Sequence, residues 1–161
     1  MSRTDQLISW LNDAYAMETG LVPILRNHAD DAKEDREMME RLARHAEETK
    51  HHAELVKSCI EKLGGQPGTV RAGLSALMGG FESIATAPFH DELVKNALMD
   101  YASEHFEIAC YTALVAAARH AGRDDIARVC KEILDEERAM ARWLEGQIPV
   151  VIEETLVATR V

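Results

Sequence analysis

Glutamates occupy positions that helical periodicity assigns to apolar side chains. One stripe runs Ala14, Glu18, Leu21, Leu25, and a second runs Leu42, His45, Glu48 with Thr49, His52, Val56, Leu63. A third runs Leu93, Ala97, Tyr101, Glu104, Glu107 with Ile108, Tyr111, Val115, and a fourth Ile126, Cys130, Leu134, Glu137, Ala141, Leu144. Each has the three- and four-residue step of a helix with one buried face. An isolated carboxylate taken out of water costs several kcal/mol, roughly, even after relaxation, so acids in all four stripes require compensating positive charge. The stripes contain almost no Lys or Arg. Metal cations are the simplest compensation, and carboxylate oxygen with imidazole nitrogen suits iron or manganese.

Spacing adds a second argument. Glu48 follows Glu18 by 30 residues, and Glu137 follows Glu107 by the same 30. Two helical hairpins with equal spacing through equal turns carry their glutamates at matching depth. Related by a pseudo-twofold, they would converge four carboxylates on one level, the arrangement of carboxylate-bridged di-metal bundles. In the second stripe, Glu48 has His51 three and His52 four residues on, both on its helix face. The stripe favours His52 over His51 as the ligand, and His45, one turn earlier, reads as support for a ligand. Glu104 is either a ligand or the partner of an arginine. Tyr15, Tyr101 and Tyr111 read as core residues whose hydroxyls bond a carboxylate, and the seven methionines as core filling.

The elements that must position these residues are four helices, expected over residues 5–27, 32–63, 90–121 and 124–146. Pro23 is expected to kink the first locally, and residues 27–31 to supply its turn. Gly64-Gly65 and Gly122 close the second and third, and Pro149 lies just beyond the fourth. Residues 64–89, with Gly at 65, 68, 73, 79 and 80 and Pro at 67 and 88, form a crossover with room for a short helix over 70–78. Tight turns within each hairpin and one long link between them describe a four-helix bundle with a single crossover. A pair of hairpins completed by dimerisation is the alternative.

Composition agrees. Of 161 residues, 47% are hydrophobic, 29% charged and only 5% aromatic, which fits a helix-rich single domain, residues 1–161, better than a sheet protein. A formal charge of −10 argues against nucleic acid or an anionic membrane surface as partner and makes cations the natural guests. No signal-like leader and no span of ~18 apolar residues is evident, so the expected location is cytoplasmic. Cys59, Cys110 and Cys130 match no zinc or redox spacing and read as small buried hydrophobes.

The segments LNDAYAMETGLVPIL (11–25), HAEETKHHAELV (45–56), GLSALMGGFESI (73–84), SEHFEIACYTALVAAARHAG (103–122) and ILDEERAMARWLE (133–145) resemble, in this order, the YciE/YciF-like family of small ferritin-like bacterial proteins. The resemblance implies an all-α ferritin-like four-helix bundle, homodimers, an association with stress responses and a metal site. Carried over by position, it places functional glutamates at Glu18, Glu48, Glu104, Glu107 and Glu137. One departure stands out: an aspartate expected four residues after Glu137 is Ala141 here, and Met140 leaves the fourth helix without Glu-x-x-His, so Glu104 or His105 would substitute. The expected function is therefore a protein holding two iron or manganese ions that handles peroxide, dioxygen or iron during stress. The alternatives are a non-enzymatic dimeric stress protein with a vestigial site and, third, a cage-forming iron store.

Overall fold

The structure, a computed structural model, describes residues 2–68 and 91–158. Four helices account for nearly all of them: α1 (Arg3–Asp31), α2 (Arg36–Lys62), α3 (Glu92–His120) and α4 (Asp124–Ala158). Among the described residues there is no strand, and no helix is long and apolar enough to cross a membrane. The expected short helix over 70–78, and most of the crossover, lie outside the described residues.

Local chemistry sets the ends. Ser2 and Asp5 form a reciprocal capping box on α1, while Asp35 and Asp91 accept from Met38 N–H and Val94 N–H at the starts of α2 and α3, satisfying amides that a helix leaves bare. Past α2 and α3 the chain turns left-handed at Gly64 (φ +79) and Gly122 (φ +70), a conformation that costs glycine little. Gly65 is needed for another reason, since a Cβ there would stand 2.8 Å from Ile8 Cγ2.

Two boundaries differ from expectation. Residues 27–31 continue α1, and the turn falls at 32–35 instead. The fourth helix does not stop at 146 but runs through Gly146 and Pro149 to Ala158. Both in-helix prolines, Pro23 and Pro149, are exposed, whereas Leu21, Leu25, Leu144 and Val151 around them are buried. A proline inside a helix costs about 3 kcal/mol, and burial of the apolar face on both sides offsets it.

Cross-helix contacts give the topology. Asp31 meets Asn96, His28 meets Asp100 and Glu18 meets Tyr111, so α1 and α3 run antiparallel. His52 meets Glu136 and Arg41 lies over Trp143, so α2 and α4 do too. Because α1–α2 and α3–α4 are hairpins, α2 and α3 must point the same way, so the end of α2 and the start of α3 lie at opposite ends of the bundle. One continuous apolar core, including Leu7, Leu11, Leu42, Ile60, Ile126, Ile133 and Leu144, fills the interior.

At one end of the bundle, His28 Nδ1 lies 2.6 Å from Asp100 Oδ1, both side chains buried, beside a cavity of about 230 Å³ lined in part by Met38, Leu42, Leu93 and Val151. Burial opposes protonation of His28, but the hydrogen bond and charge of Asp100 prevail and raise its pKa. This part of the stability is therefore complete below about 6.5 and lost as pH rises through the elevated value. His28→Leu strands Asp100 in the interior and is expected to cost about 3–5 kcal/mol, read as a lower urea midpoint. The pair His28→Leu with Asp100→Leu should recover most of that loss, and a single-variant cost under ~1 kcal/mol would show that the pair is not effectively buried.

Candidate metal centre

Midway along the bundle all four helices turn polar groups inward. The centre of α2's buried face is His45, Thr49 and His52, each 1% exposed. Across from it stand Glu18 of α1, Glu104 and Glu107 of α3 and Glu137 of α4, all 2% exposed or less.

Two groups of donor atoms emerge. His45 Nε2 lies 2.8 Å from Glu104 Oε1 and 3.8 Å from Glu137 Oε2. His52 Nδ1 lies 2.8 Å from Glu137 Oε1 and 3.8 Å from Glu18 Oε2. Within each triad the donor atoms fall within 4.8 Å of one another, and Glu137 belongs to both, offering one oxygen to each. Each triad also draws on both hairpins. Tyr111 donates its hydroxyl to Glu18 Oε1, fixing the carboxylate so that Oε2 faces the cluster.

The outer nitrogens of the two rings are also engaged. His45 Nδ1 lies 3.1 Å from Glu48 Oε2, which accepts from Arg41 at 3.1 Å, and the Arg41 guanidinium sits 5.9 Å above the Trp143 ring. His52 Nε2 lies 2.8 Å from Glu136 Oε2 at the surface. Each carboxylate thus holds its imidazole so that the opposite nitrogen points inward, the outer support usual for histidine metal ligands.

Of the eight positions singled out in the sequence, Glu18, His45, His52, Glu104, Glu107 and Glu137 come together. Glu48 and His51 do not. Glu48, at 36% side-chain exposure, stands behind His45, and His51 faces solvent 3.9 Å from Glu54. The roles expected of Glu48 and His45 are exchanged: the histidine faces the cluster and the glutamate supports it. The cause is rotational. With His45, Thr49 and His52 at the centre of the stripe, Glu48 falls at its edge. Met140 and Ala141 are buried without offering a donor, so the second nitrogen comes from α2. Glu136 does not break its helix's apolar period, so the only sequence signal for it is that a ring as buried as His52 needs a partner for each nitrogen.

Several donor atoms have no hydrogen-bond partner among the described residues: Glu18 Oε2, Glu104 Oε2, Glu107 Oε1, both oxygens of Glu137, and His52 Nδ1, whose close approach to Glu137 lacks hydrogen-bond alignment. Buried polar atoms are ordinarily satisfied. Oxygens and nitrogens converging without pairing are what cation ligation requires, and the mixed His/Glu set fits such an ion.

Electrostatics without a cation are consistent. Burial, then Glu137, pushes Glu18 up to about 8, against the pull of His52 and Tyr111. Burial likewise carries Glu104 up to about 8 despite its bond to His45, and burial with three neighbouring carboxylates lifts Glu107 well above its ordinary range. Burial would push both histidines down. Bonds to Glu104 and Glu48 nevertheless take His45 up to about 10, and Glu137 with Glu18 takes His52 up to about 9. Glu137 is lowered, because His52 and His45 outweigh its burial. Without metal, these directions favour charge on Glu137 and on the two imidazoles and disfavour it on Glu18, Glu104 and Glu107.

The fold and this cluster define a ferritin-like helical bundle with a His/Glu site of metal-binding type. Residues 2–157 match the family model described as a domain of unknown function, DUF892. The chain belongs to that family, the group of YciE/YciF-like proteins. Among solved structures, a protein from Xanthomonas campestris is 33% identical, with 99% of this chain and 100% of that one covered and a TM-score of 0.87. The E. coli stress protein YciF is 24% identical over 95% of this chain and 98% of its own, TM-score 0.80. A Desulfovibrio desulfuricans bacterioferritin with a diiron site is 22% identical over 98% and 87%, TM-score 0.78. At these identities the last two show the fold alone.

The pKa directions set the pH response of the metal-free protein. Raised acids and raised histidines favour folding at low pH: the acid part fades from 4.5 to about 8 and the histidine part from 6.5 to about 9 and 10. Glu48, lowered to about 2 by His45 and Arg41, acts oppositely and its contribution is lost in strong acid. Metal-free protein should therefore melt highest between about pH 4 and 6 and lose stability steadily toward pH 9. A melting temperature flat from pH 5 to 9 would contradict the burial of these charges.

Proposed function

We propose that this chain is a di-metal carboxylate protein, binding two iron or manganese ions in the cytoplasm and handling peroxide, dioxygen or iron under stress. The observation that carries this reading is the set of unpaired, buried donor atoms shared between two triads through Glu137. Likeness to a protein that carries a diiron site and to one described as a stress protein supports it.

Residue roles follow from the geometry. Glu137 lies between the two positions and would bridge them, with Glu18 and His52 completing one and His45 and Glu104 the other. Glu107, buried beside them with a free oxygen, is a further donor. When bound, such ions supply Lewis acidity and one-electron chemistry toward a small oxidant. The chain's own part is to hold the donors in the buried interior, with Tyr111 fixing Glu18.

Anaerobic loading with iron(II) or manganese(II) followed by elemental analysis should give about two ions per chain. Glu137→Ala should lose both, and Glu18→Ala about one. Metal-free, Glu137→Ala should melt lower than wild type because it strands the His45 and His52 imidazoliums. Glu18→Ala, which removes an acid that burial already disfavours in its charged form, should melt closer to wild type. Metal content is therefore compared on variants that circular dichroism shows to be folded. Loaded protein should consume peroxide or dioxygen faster than free metal. Absence of bound ions in wild type would end this reading.

A further inference from the structure

The two triads look alike from within the site, but they are supported differently from outside. His45 is held at Nδ1 by Glu48, which also accepts from Arg41, itself 18% exposed and packed over Trp143. That support is a chain of three side chains ending on a large aromatic. His52 is held at Nε2 by Glu136 alone, whose side chain is 57% exposed. Among the described residues Glu136 has no partner besides His52.

Such supports are not equal. A carboxylate bonded to the outer nitrogen of a histidine ligand fixes ring orientation and raises its basicity, and losing it costs about 10–100-fold in metal affinity. An exposed carboxylate with no second partner retains its rotamer freedom and is screened by salt. One pinned by a guanidinium that is packed against an indole has already given up that freedom.

Resting on the metal-binding reading above, we propose that the two cation positions are inequivalent: the His45/Glu104/Glu137 position retains its ion, and the Glu18/His52/Glu137 position exchanges with solvent, with Glu136 as the positioning residue that sets its affinity. The shared carboxylate makes filling sequential. Glu137 is first committed through Oε2 on the braced side, and its Oε1 then serves the looser one.

The test is calorimetric titration of the metal-free full-length chain with manganese(II), paired with the rate at which bound manganese passes to excess EDTA. Wild type should show two binding events at least tenfold apart in affinity, with biphasic release. Glu136→Ala should weaken only the weaker event by about 10–100-fold and accelerate only the faster release, measured at a temperature where circular dichroism shows the variant fully folded. Glu136→Gln keeps an acceptor for the ring N–H and should restore part of the loss, which a merely structural role would not produce. Glu48→Ala should weaken the tighter event instead. Two equal events in wild type, or a Glu136→Ala titration superimposable on wild type, would overturn this inference while leaving the metal-binding reading standing. No manganese bound by wild type would overturn both.

Discussion

Buried negative charge has to be neutralised, and in this protein that requirement organises the middle of the bundle. Four glutamates and two histidines occupy space that leucines would otherwise fill. Coulomb repulsion among carboxylates in a low-dielectric interior exceeds any single packing contribution, so the arrangement persists only with cations, whether protons on acids and imidazoles or metal ions. The rest of the structure is compatible with this load. Long helices, three of them capped at their starts and two released at glycines, carry apolar core on both sides of the polar level and bring four donor-bearing faces to one height.

Much of this was legible in the chain. Helical periodicity gave four helices and one long link, since apolar steps of three and four residues have a single geometric meaning. The equal 30-residue spacings gave the common level, and Glu18, Glu107 and Glu137 meet there. The rotation of α2 was not legible. Glu48 and His45 lie on neighbouring arcs of one helix, and a rotation of a few tens of degrees decides which enters the cluster. That rotation is set by tertiary packing, with Arg41 over Trp143 as part of it, between residues distant in sequence. The His28–Asp100 pair was invisible for the same reason: its partners are 72 residues apart, and neither breaks the period of its own stripe conspicuously. The extension of α4 was missed because Gly146 and Pro149 are local stop signals, overruled by apolar residues beyond them.

The comparisons fit the same division. The bundle is shared with a bacterioferritin and with a bacterial stress protein at low identity, as expected where a backbone level is fixed by geometry and the polar residues on it can vary. In this chain the fourth helix contributes Glu137 alone to the two triads, and the second helix contributes both imidazoles.

Neither hairpin owns a complete set of donors. Glu18 and His52 belong to the first and Glu137 to the second, while His45 belongs to the first and Glu104 with Glu137 to the second. An ion held there acts as a clasp across the seam, and any partial opening that parts the hairpins dismantles both coordination spheres at once, without unwinding a single helix. Retention of any ion there would thereby depend on the docking of two otherwise intact halves as well as on how firmly each imidazole is braced from outside.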